Sequence, residues 1–456
     1  AGCAPHYFLR RRKMDKFFKI SERGSTVRTE IVGGITTFFA MAYIIFVNPN
    51  MLCVDLGDGF FPAMPGELWV PVMVATCASA AIGCFLTALL ANVPFAQAPG
   101  MGLNAFFTYT VCLGMGYTWQ EALAIVLLSG ILFLIIAVSP LRSKIIASIP
   151  AFLKSAISAG IGLFIAFIGL LNVNLISFGS GVPALNFKDN PAGLLAIIGL
   201  LITAILMAYK VKGAIVIGIL ATTIIAFPMG LTSFPEHLTM EGVTLAPLFM
   251  KLNLGGVMEK GILSLLTAVI SFALVDCFDT VGTLIGTAKN AGMTDKNGNL
   301  PGGDRALIAD AIATCCGACM GTSTVTTFVE SSTGISEGAR TGLSSVVVGV
   351  LFLVAILLAP VAGIIPSAAT APALIIVGVL MIKGATEVNW SDFEEACPAF
   401  LTISMMPFAY SISDGIGFGF ISYSIIKLAR GKAKEVPVLV YIISLLFILK
   451  YILTNI

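Results

Sequence analysis

Long apolar runs, separated by short polar connections rich in glycine and proline, recur from residue 30 to residue 429. A helix needs about 20 mainly apolar residues to cross the hydrocarbon core of a bilayer. Fourteen windows of that kind can be marked: 30–52, 70–91, 97–115, 119–139, 154–173, 191–209, 212–230, 261–288, 303–320, 322–338, 340–361, 369–385, 397–411 and 413–429. The pattern predicts an all-α polytopic membrane protein. Residues 436–454 are apolar enough for a further helix, either a fifteenth span or a helix lying at the interface. The long connection 231–260 leaves seven windows on each side of it, and GILFLIIAVSP at 130–140 resembles GVLFLVAILLAP at 349–360. Seven spans followed by seven more have opposite orientations, which is the inverted-repeat plan of many secondary transporters. A ligand site is then expected near mid-membrane, between corresponding broken helices.

Basic residues set the orientation. Lys16, Lys19, Arg23 and Arg28 precede the first window, whereas the first loop carries Asp55, Asp58 and Glu67 and neither Lys nor Arg. Residues 1–29 therefore read as a cytoplasmic basic arm of a multi-pass protein of the inner (plasma) membrane. No apolar core and cleavage site follow Arg10, Arg11, Arg12 and Lys13, which argues against a signal peptide, and Met14 with Asp15 and Lys16 looks like an ordinary start, so residues 1–13 read as an upstream extension. Counting spans from there puts Arg142 with Lys144, Lys210 with Lys212, Lys289 with Lys296 and Arg305, and Arg430 with Lys432 and Lys434 on the same side.

Composition agrees, because 57% hydrophobic and 11% charged residues are too polar-poor to cover a water-soluble body of 456 residues. A net charge of +2, without a broad basic face, excludes a nucleic-acid partner. Cys77, Cys84, Cys112, Cys277, Cys315, Cys316 and Cys319 lie in apolar stretches, where cysteine behaves as a small hydrophobe. Cys316 and Cys319 form a C-x-x-C with no histidine nearby, the histidines being His6 and His237, so no metal or cofactor is expected.

Two windows look broken, and they are the third of each half. QAPGMGLNAFF at 97–107 places Pro99, Gly100 and Gly102 in an apolar run, and TSTVTTFVESSTGISEG at 322–338 carries Glu330 at its centre. Irregular backbone at membrane depth needs shelter by protein or a water-filled cavity. For the glycines, close helix packing is the competing explanation. VDCFDTVGT at 275–283 sets Asp276 and Asp279 three residues apart on one helix face. A carboxylate at a span centre costs about 2.5 to 3.5 kcal/mol on insertion scales, so these three acids point to a polar cavity more than to structural cross-links. Asp310 has no second polar partner in its own window, and helix packing or a proton path suit it equally. No span contains histidine, which leaves proton exchange to carboxylates. Carboxylates and free backbone N–H groups also suit a heterocyclic base, which offers ring N–H and amino donors beside ring acceptors. Phe106, Phe107 and Phe328 could stack on a flat ring, although packing is the commoner role of membrane aromatics.

Four stretches carry a family resemblance: SERGSTVRTEIVGGITTFFAMAYIIFVNP at 21–49, APGMGLNAFF at 98–107, FDTVGT at 278–283 and ESSTGISEGARTGL at 330–343. From Met14 onward the chain resembles the AzgA-like purine nucleobase permeases, in the nucleobase cation symporter group that also holds uracil and xanthine carriers. The resemblance implies fourteen spans as two inverted repeats of seven, with short facing strands in spans 3 and 10. It implies a core domain, 30–153 (spans 1–4) with 261–361 (spans 8–11). A gate domain is implied from 154–232 (spans 5–7) and 369–456 (spans 12–14 and the C-terminal helix). It also implies proton symport of adenine, guanine or hypoxanthine, no enzymatic activity, and a homodimer through the gate.

By residue, Asp276 and Asp279 match the acidic positions of span 8, Glu330 that of span 10, and Gly102 with Asn104 the span 3 motif. Glu330 and Asp276 would contact the base, and Asp279 would support proton coupling, with the two aspartates open to exchange of roles; all three are proton-coupling candidates. Asn104 would hydrogen-bond the base or lock the strand. Ser331 follows Glu330 where uracil and xanthine carriers have Asn, which favours the purine branch. An anion transporter or channel of the same architecture is the alternative, disfavoured by three acids at the site. An intramembrane enzyme lacks a Ser–His pair, a metal cluster or a nucleotide loop.

Overall fold

The computed structural model describes residues 15–53, 63–140, 148–177, 183–234, 243–295, 300–362 and 364–454. The expectations for residues 1–14 (His6 included) and for Asp55, Asp58, Arg142, Lys144, His237 and Lys296 fall outside them.

Helix, alone or with a strand, fills every apolar window. Span 1 is two helices, α1 (Val27–Met41) and α2 (Ile44–Cys53), interrupted at Ala42 and Tyr43. Span 2 is α3 (Trp69–Leu86), which widens into a π turn over Thr87–Ala91 and stops at Asn92, in the left-handed region at φ 52°. Span 3 is β1 (Gln97–Pro99) followed by α4 (Met101–Ala105) and a π-helical stretch, Phe106–Gly114. Span 4 is α5 (Trp119–Val138), started by a reciprocal capping box between Thr118 and Glu121. Span 5 is α6 (Ala151–Asn172), and a small hairpin of β2 (Ile176–Ser177) and β3 (Ala184–Leu185) leads to span 6, α7 (Pro191–Ala208). Span 7 is α8 (Ala214–Ala226), span 8 is α9 (Ile262–Asn290) and span 9 is α10 (Gly303–Met320). Span 10 is β4 (Val325–Thr327) with α11 (Ser331–Ser336), and span 11 is α12 (Gly342–Ala355). Spans 12 to 14 are α13 (Ser367–Met381), α14 (Phe393–Phe408) and α15 (Ile412–Ala429), and α16 (Val438–Thr454) closes the described chain.

Among the described residues, seven helical stretches are long and apolar enough to cross a bilayer unaided, those of spans 1, 2, 4, 5, 6, 8 and 12. Spans 3 and 10 fall short because strands interrupt them, and α8, α12 and α16 are shorter apolar helices. Span 13 begins at Phe393, ahead of its window at 397, because Asp392 caps it: Oδ1 accepts from the Glu394 N–H at 3.0 Å.

The packing repeats with a seven-span offset. Span 4 lies on span 9 as span 11 lies on span 2, span 6 on span 7 as span 13 on span 14, span 13 on span 5 as span 6 on span 12, and span 1 on span 11 as span 8 on span 4. The two similar stretches each open with a glycine at such a contact. A Cβ on Gly130 would come within 2.8 Å of Cys315 Sγ, and one on Gly349 within 2.7 Å of Phe85 Cε1. The sequence similarity therefore marks equivalent close crossings. Spans 1, 2, 4, 8, 9 and 11 pack chiefly among themselves, and so do spans 5, 6, 7, 12, 13 and 14.

Glu30, fully buried in α1, ties span 1 to the start of span 11. Oε1 accepts from the Arg340 N–H at 2.8 Å and Oε2 from the Thr341 N–H at 3.3 Å. Glu30→Ala strands both donors without water, at about 1 to 3 kcal/mol each. The variant is expected to melt several degrees lower in detergent; an unchanged melting temperature would count against this brace.

The helix α16 runs antiparallel to α15 along its full length. Ser444 and Ser424 hydroxyls meet at 2.8 Å near one end, and at the other Lys450 Nζ and Tyr451 OH each donate to Asp414 Oδ1 at 3.1 Å. Its outward residues, Val438, Ile442, Leu445, Leu449 and Ile452, are exposed and apolar from end to end, whereas a helix lying at the interface carries a polar outer face. Such a face suits lipid, and a fifteenth crossing is the expected arrangement. Epitope tags at the two termini are expected on opposite sides of sealed vesicles; protease removal of both from one side would refute this.

Candidate functional site

Spans 3 and 10 meet through their strands. β1 and β4 pair antiparallel, Gln97 with Thr327, Ala98 with Thr326 and Pro99 with Val325. The ladder extends by Phe328 N–H to the Ala96 carbonyl and Gly100 N–H to the Thr324 carbonyl, both 3.0 Å. All six strand residues are buried, so each strand satisfies main-chain groups that lipid would leave bare. The β-branched run Thr324–Thr327 favours extended backbone, and Pro99 ends β1 by lacking a donor. A helix starts immediately beyond each strand, α4 after Gly100 and α11 after Glu330.

At this junction Glu330 Oε1 accepts a hydrogen bond from Tyr43 OH at 2.6 Å. Tyr43 occupies the break between α1 and α2, and its ring lies 6.5 Å from that of Phe328. Asp279 of α9 faces Glu330 closely enough for their charges to act on one another. Asp279 and Glu330 are partly exposed and Val329 between the strand and α11 is 52% exposed, so protein does not close over this junction. Farther along α9, a Cβ on Gly282 or Gly286 would meet no atom within 4 Å.

Behind this junction lies a second acidic group. Asp276 is 2% exposed, with the Thr314 hydroxyl 3.0 Å from Oδ2. Thr314 is also 2.9 Å from the Val325 carbonyl of β4. Asp310 is fully buried, and its Oδ1 accepts from Gln97 Nε2 at 3.1 Å and from Thr327 Oγ1 at 2.8 Å. The Asp276 and Asp310 carboxyl groups adjoin, and among the described residues Asp276 Oδ1 and Asp310 Oδ2 lack a hydrogen-bond donor. A single proton shared between the two carboxyl groups would supply a donor and remove the repulsion of like charges.

Several sequence expectations change here. Asp310 does have polar partners, but they come from β1 and β4, far from its own window. Asp276 and Asp279 share a helix yet face different neighbours, Asp276 toward Asp310 and Thr314, Asp279 toward Glu330. Gly102 allows α4 to approach α6, since a Cβ there would sit 2.6 Å from Ile161 Cγ2. Asn104 is fully buried, and its Oδ1 accepts from the Ser323 hydroxyl, locking α4 to the chain entering β4. Ser331 is also fully buried, its hydroxyl accepting from the Ala96 N–H at 3.0 Å. Asn104 and Ser331 thus brace the strands from behind. Phe106 and Phe107 are buried, with Phe106 edge-on to Phe272 at 4.5 Å between centroids, so neither offers a free face. Tyr43, Gln97, Thr314 and Thr327 escaped the sequence reading. A tyrosine in the middle of the first apolar window was the one visible signal among them.

Residues 28–418 match the Permease family. The chain belongs to that family. This permease is 43% identical to the guanine/hypoxanthine permease PbuG of Bacillus subtilis over 443 residues, 96% of this chain and 99% of that one. It is 40% identical to the adenine permease AdeP of Escherichia coli over 442 residues, 96% of each chain. In fold, the permease is similar to the transmembrane domain of the cyanobacterial bicarbonate transporter BicA, with TM-score 0.63, 16% identity and coverage of 85% of this chain and 96% of that one. It is likewise similar to murine Slc26a9, an anion transporter in the inward-facing state, with TM-score 0.63, 10% identity and coverage of 88% and 68%. At such identities the likeness concerns architecture alone.

Proposed function

We propose that this permease imports purine nucleobases, namely adenine, guanine or hypoxanthine, across the plasma membrane by proton symport. The observation that carries the reading is the grouping of Asp279, Glu330 and Tyr43 where spans 3 and 10 meet, with both acids partly exposed. Two carboxylates match the adjacent ring N–H and amino donors of a purine, and they would repel an inorganic anion. Glu330 and Asp279 take the base in this scheme, with Phe328 beside it. Asp276 with Asp310 holds the coupling proton, which exchanges the roles first expected for the two aspartates of span 8. Gly102, Asn104 and Ser331 act by holding the paired strands in place.

Coupling then has a physical route. Asp310 is bonded to both strands through Gln97 and Thr327, and Asp276 reaches β4 through Thr314. Loss of the shared proton sets two negative charges against each other behind the ribbon, so protonation and the geometry of the base site depend on one another. Alternating access would come from a core of 30–153 with 261–361 moving against a gate of 154–232 with 369–456. The two preferentially packed sets of spans support that division. In this reading the N-terminus is cytoplasmic and two copies associate through the gate.

Uptake of radiolabelled adenine, guanine, hypoxanthine, xanthine and uracil, in cells lacking nucleobase carriers, tests the proposal. Saturable purine uptake that collapses with a protonophore is the expected result. No uptake of any base by protein that reaches the membrane would defeat it, and competition by inorganic anions would favour an anion carrier.

A further inference from the structure

Span 13 passes into span 14 through a tight turn that carries a conformational cost. The helix α14 closes with a bond common at helix ends, the Ser411 N–H donating back to the Met406 carbonyl at 3.0 Å. The residue that must then turn left-handed is usually glycine. Here it is Tyr410, at φ 54°. A bulky residue keeps that conformation only where its surroundings hold it. The rings of Tyr109, Phe164 and Phe167 do so, edge-on at 5.6, 5.5 and 6.4 Å between centroids. Ser411 then caps α15, its Oγ accepting from the Asp414 N–H at 3.2 Å.

The neighbours of this turn come from both the proposed core and the proposed gate. Phe164 and Phe167 belong to span 5 of the gate, as do spans 13 and 14, whereas Tyr109 belongs to span 3 of the core. Two hydrogen bonds also cross to the core. The Ile412 N–H donates to Thr110 Oγ1 of span 3 at 3.2 Å, and the Ser413 hydroxyl meets the Ser271 hydroxyl of span 8 at 3.3 Å. Thr110, Ser271, Ile412 and Ser413 are all buried. In the alternating path of the chain, the turn lies toward the face opposite the N-terminus, where Asn50 of span 1 also donates to Thr370 of span 12 at 3.0 Å. Ser271 precedes Asp276 and Asp279 along α9, so the turn stands to one side of the acids. On their other side, Gly282 and Gly286 look onto open space. Contacts between core and gate on that side are looser: Lys154 Nζ lies over the Phe278 ring at 5.6 Å, and Lys212 pairs with Glu337 in an exposed, weak ion pair.

We propose that the turn 409–413 is a latch on the solute path. It seals the acids from the face opposite the N-terminus in this structure, and it releases Tyr109, Thr110 and Ser271 when that face opens. The inference rests on the proposed movement of core against gate. Tyr410 sets the strength of the latch, because its ring contacts favour the closed state while its left-handed backbone opposes it by a comparable amount. Neither state is then locked.

Ser271→Cys with Ser413→Cys, oxidised in vesicles, is expected to form a disulfide and to lower uptake of labelled purine at least about tenfold, with recovery on reduction. Each single variant keeps its uptake under the same oxidant. A membrane-impermeant maleimide added at the face opposite the N-terminus, with the product located by peptide mass spectrometry, reads the latch without any solute. Ser271→Cys is expected to react roughly tenfold faster when combined with Tyr410→Ala, which removes the ring contacts and keeps the unfavourable backbone. Tyr410→Gly relieves the backbone as well, and its rate should lie between. Full uptake by a completely cross-linked pair, failure of the disulfide to form, or equal alkylation with and without the Tyr410 ring would each overturn the latch. If the wild type takes up no base, the transport reading fails by itself and the alkylation rates still decide the latch. Tyr410→Gly decides if Tyr410→Ala is not monodisperse.

Discussion

Glu330→Gln is expected to remove saturable purine uptake, with kcat/KM falling roughly 100-fold or more while the protein still reaches the membrane. The carboxylate accepts from Tyr43 at 2.6 Å and, in the proposed complex, from donors of the base. The amide keeps the shape but turns one acceptor into an N–H donor aimed at another donor. Lost hydrogen bonds to a charged group are worth about 1.5 to 3 kcal/mol each, and a donor left unpaired adds to that. Tyr43→Phe removes only the bond that orients Glu330, so roughly a tenfold rise in KM at nearly constant kcat is expected. Full activity of the Gln variant would remove Glu330 from the base site. If Tyr43→Phe matched the Gln variant, Tyr43 would have to touch the base itself.

Asp310→Asn should separate transport from its driving force. An amide there can still bond Gln97 or Thr327, so the ribbon keeps its place, but it no longer shares a proton with Asp276. For one proton per base, each 100 mV of driving force is worth about 2.3 kcal/mol, or roughly a 50-fold concentration gradient of solute. In energised vesicles the variant is expected to exchange labelled for unlabelled purine and yet accumulate none. Accumulation equal to wild type would exclude the Asp276–Asp310 pair as the coupling group. Loss of exchange as well would mean that Asp310 only supports the site, and Asp276→Asn would then be the deciding variant.

The spans were legible in the chain because crossing a bilayer imposes a length and a polarity that few residues can disguise. The breaks in spans 3 and 10 were legible for a related reason, since Pro99, Gly100 and the Thr-rich run 322–327 cannot be read as ordinary helix, whereas the strands themselves came from the family resemblance. Glu330, Asp276 and Asp279 stood out through the cost of charge in lipid. What the sequence could not display was which acid faces which neighbour. Asp310 stayed open between helix packing and a proton path because its partners are Gln97 and Thr327, brought in by strand pairing between the two halves. Asn104 was expected to bond the base or lock the strand, and Ser331 to lie with the base; the structure ties Asn104 Oδ1 to the Ser323 hydroxyl and the Ser331 hydroxyl to the Ala96 N–H, both supports of the strands. Adjacency in a motif fixes neighbourhood, and only the register of β1 against β4 fixes direction.

The antiparallel course of α16 beside α15 has a practical corollary for protein engineering. A crossing by α16 would make the number of crossings odd and set the two ends of the described chain on opposite sides of the bilayer. Two copies joined head to tail by a simple flexible tether would therefore have the second inserted upside down. Joining two copies in the same orientation would then require either an extra crossing in the tether or deletion of α16 from the leading copy. The first route is the safer, because Asp414 loses Lys450 and Tyr451 in the second.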